Sequence, residues 1–142
     1  MKLKFTLLLC SFLLILSACG IDKGREAEAN KLALNYITTV HEKGLDQAMP
    51  LLSDDFFQQR SRSGWKEYFT YVRKQLGATQ KIKLKNRISD NRYSGTFYMF
   101  QFSNKFEHGF TKEMVTIVDK VDNKGPLKVF AHKVESSKLS EN

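Results

Sequence analysis

Hydrophobic period divides the chain into a leader, a helical half and a strand half. Residues Phe5 to Leu16 form a twelve-residue, predominantly apolar run behind Lys2 and Lys4, and small residues Ser17 and Ala18 follow it. A helix needs about 20 apolar residues to cross a bilayer core, so the run is too short to span. Its three-part layout predicts an export signal over residues 1–18. From Arg25 to Lys43, the residues Ala29, Leu32, Ala33, Tyr36, Ile37 and Val40 recur at steps of three and four. They predict an amphipathic helix with Gly44 as its C-terminal cap. Leu45, Ala48, Met49 and Leu52 predict a short second helix disturbed by Pro50, which lacks a backbone donor. Ser63 is the candidate N-cap of a third helix that ends at Leu76 and Gly77 and carries Trp65, Tyr68, Phe69, Val72 and Leu76 on one side.

After Gly77 the period falls to two. Ile82, Leu84 and Ile88 alternate with Lys81, Lys83, Lys85 and Arg87, which predicts a strand with one apolar face and a row of cations on the other. Between Tyr93 and Phe106, Phe97 and Met99 point one way while Tyr98, Phe100 and Phe102 point the other, the pattern of a strand covered on both faces. Phe110 to Val121 predicts a third strand, with Met114, Thr116 and Val118 opposite Val115, Ile117 and Val121. Asp122-Asn123-Lys124-Gly125 is a hairpin signal, Leu127 to Val134 the last strand, and Glu135 to Asn142 a polar tail expected to fray. Helices followed by a strand meander predict an α+β domain, with N-terminal helices packed on one face of an antiparallel four-stranded sheet. The expected layout is thus a signal over 1–18, a linker over 19–24, the domain over 25–135 and a tail over 136–142.

The junction Leu16-Ser17-Ala18-Cys19 resembles the bacterial lipobox, which implies a diacylglyceryl group on the Cys19 thiol and cleavage before it. Cysteine use points the same way. Cys10 would leave with the signal, so the mature chain keeps only Cys19. A lone thiol in an oxidising compartment calls for an explanation, and alkylation supplies one. Two acyl chains anchor stably where one holds marginally, at about 0.8 kcal/mol per buried methylene. Gly20 rather than Asp follows the cysteine, and similarity to sorted lipoproteins then implies the outer membrane, facing the periplasm.

Cleavage leaves 124 of the 142 residues, the size of one domain. With Lys2 and Lys4 gone, 21 basic residues face 15 acidic ones, a surplus of six that favours anionic neighbours. Nucleic acid is disfavoured by the compartment. Nine Phe, five Tyr and one Trp remain, each able to contribute roughly 1.5 to 3 kcal/mol when fully buried, so a core is expected without disulfides.

Two helices, then Gly64-Trp65, then Val72-Arg73-Lys74-Gln75-Leu76-Gly77, a strand pair and Glu113-Met114-Val115-Thr116-Ile117-Val118 resemble the small bacterial domains of unknown function catalogued as DUF4019. The resemblance covers roughly Ala27 to Val134. It departs at Leu127, where an aromatic residue would precede the Lys-Val pair. It implies the NTF2-like, or cystatin-like, cone, in which helices pack into a curved sheet. It implies no established activity.

Catalysis in relatives of that cone needs a carboxylate of raised pKa beside a buried donor. Tyr36 points inward by its period, yet no Asp or Glu is expected on the apolar faces with it, and Asp54 and Asp55 fall in a loop. His41, His108 and His132 are far apart and lack the close spacing of a metal site. No Gly-x-Ser-x-Gly elbow or phosphate loop occurs, and no catalytic, cofactor or metal residue is assigned. The row Lys81, Lys83, Lys85 and Arg87 is the candidate contact to an anionic surface, lipid or protein, and is equally the guarded edge of a sheet. The doubly apolar second strand offers a face for a homodimer or an envelope complex. The expectation is a non-catalytic, membrane-tethered binding or scaffold module. The alternatives are a carrier with an apolar pocket lined by Tyr36, Phe69, Phe97 and Met99, and an enzyme of ketosteroid-isomerase type.

Overall fold

The computed structural model describes residues 22–139. The expected export signal over 1–18, Cys19 and the last three residues lie outside the described residues. Helix α1 (Lys23–Glu42) opens on Asp22, whose carboxylate accepts from the backbone N–H groups of Gly24 and Arg25. This cap starts the helix two residues before Arg25 and absorbs the end of the expected linker. The stripe of Ala29, Ala33, Tyr36, Ile37 and Val40 is buried, and His41 continues it. Gly44, at φ 92°, turns the chain into helix α2 (Leu45–Ala48). Short 3-10 turns follow at Met49–Leu51 and Asp54–Gln58. Helix α3 (Arg62–Leu76) is capped by Ser61 rather than Ser63, because the Ser61 backbone is extended and its hydroxyl accepts from the N–H of Gly64.

Strands β1 (Thr79–Arg92), β2 (Gly95–Phe106), β3 (Gly109–Lys120) and β4 (Val129–Glu135) form one antiparallel sheet in sequence order. This is the predicted α+β meander, an open sheet under a layer of helices, consistent with an NTF2-like cone. The inner face supplies Tyr98, Phe100, Phe102, Val115, Ile117 and Val129 to a core shared with Tyr36, Ile37, Phe56, Trp65 and Phe69. Phe56 bridges the layers. Its ring lies 6.2 Å from that of Tyr36 and 5.0 Å from that of Trp65.

Two irregularities change which side chains share a face. Leu84 pairs with Phe102 and Arg87 with Phe100, so β1 spends one residue more than β2 between these pairs. Such a bulge reverses the alternation. Ile82 and Leu84 stay toward the helices, but Ile88 pairs with outward Met99, and Arg87 pairs with inward Phe100. The expected single row of four cations is therefore corrected to three lysines, with Arg87 on the other side. In β4, Ala131 pairs with Thr116 and Val129 with Ile117, leaving Phe130 as an extra residue. Phe130 meets Phe97 at 6.4 Å on the outer face. No described helix covers that face, so Phe97 and Met99 remain only half-buried rather than enclosed.

The tail also differs from expectation over 136–139. Ser136 donates to the Phe110 carbonyl at 2.7 Å, Lys138 bonds the His108 carbonyl, and Leu139 packs on Val72, Leu76 and Phe106. At the start of β2, Gly95 has φ 141°, and a Cβ there would run into the Asp119 carbonyl and lie 2.8 Å from Lys120 Cα. Gly95→Ala is expected to lower stability by more than about 1 kcal/mol, since the native backbone there is closed to other residues. Urea melts against the unsubstituted chain will measure it.

Candidate functional site

Three elements bring a buried polar cluster together. Helix α1 supplies Tyr36 and His41 from its apolar stripe, β3 supplies Thr111 and Glu113 from its inner face, and β4 supplies His132. Glu113 Oε2 accepts from His132 Nε2 at 2.7 Å and from His41 Nε2 at 2.8 Å. Thr111 donates its hydroxyl to Glu113 Oε1 at 2.5 Å, and the Tyr36 hydroxyl lies 2.9 Å from His132 Nδ1. An ionised carboxylate only accepts, so both histidines hold a hydrogen on Nε2, and Nδ1 of His132 is left to accept from Tyr36. The rings are clamped as well. His132 stacks on Phe69 at 5.4 Å and on Trp65 at 6.3 Å, and His41 meets Phe106 edge-on at 5.2 Å.

The electrostatics follow from this geometry. Burial alone would push the Glu113 carboxyl up, but the charge of His41 and the hydrogen bonds from His132 and His41 outweigh it and hold the group well below the usual carboxylate range. Burial, and then the Glu113 charge, push the Tyr36 phenol well above its ordinary value, so it keeps its proton. A general base needs a free lone pair beside substrate. Here both carboxylate oxygens and both nitrogens of His132 are already engaged. The cluster reads chemically as a closed network that fixes helix α1 on strands β3 and β4. Among the described residues, no group of three or more His, Cys, Asp or Glu is arranged to hold a metal ion.

The expectation that no carboxylate would join Tyr36 is thus overturned by Glu113. So is the separation of the histidines, because the meander carries His132 back across α1 to within reach of the carboxylate that also binds His41. His108 stays apart in the exposed β2–β3 turn. The signal was present in the sequence: Glu113 stands two residues before inward Val115 and four before Ile117.

The four residues named for a carrier pocket do not share one. Tyr36 and Phe69 are in the core, while Phe97 and Met99 lie across the sheet on the outer face. An open groove of about 820 Å³ runs beside β4, with Arg60, Trp65, Tyr68 and His132 in its lining. Arg60 stacks over the Tyr68 ring at 4.6 Å. Asn104 is fully buried opposite Thr111, and neither end of its amide has a hydrogen-bond partner.

The surface candidates gather at one end of the outer face. Lys81 pairs with Lys105 and Lys83 with Ser103. The bulged Lys85 borders a depression of about 360 Å³ with Gln101, Lys112, Met114 and Lys133, the last paired with Glu135 at 2.6 Å. The opposite end of the sheet holds the start of α1, where Arg25 bonds Asp119 at 2.6 Å. From Asp119 to Lys112 is seven residues of β3, roughly 23 Å at strand rise.

No family model and no curated protein matches the chain. Among solved structures it is similar to Bd1075 of Bdellovibrio bacteriovorus, with a TM-score of 0.53 at 6% identity. The likeness covers 82% of this chain and 41% of that one, so this chain spans less than half the length of its neighbour. At that identity it speaks for the fold alone. No described helix is long and apolar enough to cross a membrane.

Proposed function

We propose that the chain is a non-catalytic lipoprotein module of the bacterial envelope, tethered through Cys19, that offers the cationic end of its outer sheet face to an acidic protein surface. One observation carries the reading: both Glu113 oxygens and both His132 nitrogens are engaged within the buried network, whereas Lys81, Lys83 and Lys85 stand exposed on a face that no described helix covers. The place of the lysines favours protein over the head groups of the tethering bilayer, because they sit at the end of the sheet away from the start of α1. A complementary acidic face would gain both steering and register from them.

The test joins two measurements on envelope membranes. Intact mass of the extracted protein is expected to show a diacylglyceryl group on Cys19, and a bare thiol there would sink the tether. Zero-length coupling of amines to carboxyls, followed by peptide mass spectrometry, is expected to link Lys81, Lys83 or Lys85 to Asp or Glu of another protein. Lys83→Glu with Lys85→Glu should abolish those links. Links to a second copy of this chain would make the module a homodimer, and their absence would end the docking role.

A further inference from the structure

The tether, taken from the preceding reading, constrains how the domain meets the bilayer. Cys19 and Asp22 are three Cα steps apart, a reach of about 11 Å at most. Asp22 caps α1, and the first turn of that helix is locked to one end of the sheet. Arg25 Nη2 and Nε bond the two Asp119 carboxylate oxygens at 2.6 and 2.8 Å, and the guanidinium also reaches the Gly125 carbonyl at 3.3 Å. A lipid on Cys19 therefore holds this end of the sheet against the membrane.

The same end carries two turns with unusual residues. Tyr93 and Ser94 join β1 to β2, and Val121 begins the connection from β3 to β4. The N–H of Val121 donates to the Ser94 carbonyl at 3.4 Å, so the two turns lie side by side. Tyr93 is fully exposed and Val121 is 71% exposed, and neither joins the core. Turn positions normally take Gly, Asn, Asp, Ser or Pro. Tyr93 and Val121 depart from that pattern and contribute nothing to the core clusters.

We propose that these two tips form a membrane foot: Tyr93 and Val121 enter the head-group layer of the bilayer that holds the Cys19 lipid. A tyrosine ring suits that layer, with its apolar body toward the acyl chains and its hydroxyl among the head groups. Arg92, Lys120 and Lys124 are exposed beside the tips, and their stems can lie along apolar surface with the charges kept at phosphate level. Arg92 is paired with Asp90 at 2.7 Å and Lys120 with Asp55 at 2.8 Å, which offsets two of those charges. The foot accordingly recognises the bilayer interface itself, with no demand for anionic lipid.

The test uses the full lipoprotein reconstituted in phosphatidylcholine vesicles. Tyr93→Trp places an indole at the tip, and Lys83→Trp places one at the far end. Trp65, buried in the core, gives a background measured on the unsubstituted protein. The Tyr93→Trp emission is expected to shift to the blue on reconstitution and to be quenched by lipids brominated in the upper acyl chain, whereas that of Lys83→Trp is not. Protein that floats with the vesicles while Tyr93→Trp stays unquenched overturns the foot and leaves the tether standing, with the tips then left to a protein partner. Protein that fails to float overturns the tether and the foot together.

Discussion

Glu113→Leu is expected to cost about 3 to 5 kcal/mol, the loss that follows when one member of a buried charged network is removed. Three donors converge on this carboxylate, from His41, His132 and Thr111, and leucine would leave all three buried without an acceptor. Denaturant melts of residues 19–142 carrying Cys19→Ser, a residue that cannot take a thioether lipid, will measure it. Glu113→Gln keeps the volume and one acceptor oxygen, so it should lose less. The pH dependence gives an independent check. The folded-state pKa of Glu113 lies below its ordinary value, so the unfolded chain binds the extra proton first as acid is added. The stabilisation from the ionised group is complete above about pH 4.3, the unfolded glutamate value, and fades as the pH falls below it. Glu113→Gln should flatten the stability curve in that acid window. An unchanged curve would mean that the carboxylate does not hold the network.

Phe56→Ala should produce a loss of similar size, about 3 to 5 kcal/mol, through a different mechanism. The ring is fully buried and touches Tyr36, Phe57 and Trp65, so truncation opens a cavity between α1, α3 and the sheet. Phe97→Ala is the matched control. It removes the same atoms from the half-buried outer face and should cost clearly less. Equal losses would mean that the outer face is covered in the folded protein, which would argue for a partner that accompanies the purified chain.

Much of this architecture is legible in the sequence because periodicity reports burial directly. The stripe on α1 and the aromatic side of α3 name their inward residues, whereas the alternation in β2 separates two faces without telling which is inward. What periodicity misses is where one residue breaks the count. The bulge after Leu84 moves Ile88 outward and takes Arg87 out of the lysine row, and no residue type announces it. The candidate site was harder for another reason. Tyr36, His41, Glu113 and His132 lie on three elements, and only the return of β4 beside β3 brings them together. Glu113 could have been assigned to the inner face by its spacing from Val115 and Ile117, but polar character argues against burial until its partners are known. The Ser61 cap was missed because two serines stand two residues apart, and only the backbone conformation chooses between them.

For a protein tethered as proposed, the bulge in β1 has a further meaning. Strand β1 is one margin of the sheet, has no second strand partner among the described residues, and runs for 14 residues, long enough to template a neighbour's backbone. Molecules tethered on one bilayer meet repeatedly in similar orientations, which favours margin-to-margin growth into ribbons. A broken ladder flanked by Lys81, Lys83 and Lys85 denies such growth an even row of donors and acceptors. If the proposed tether holds, the domain can be crowded on a membrane without polymerising along that margin.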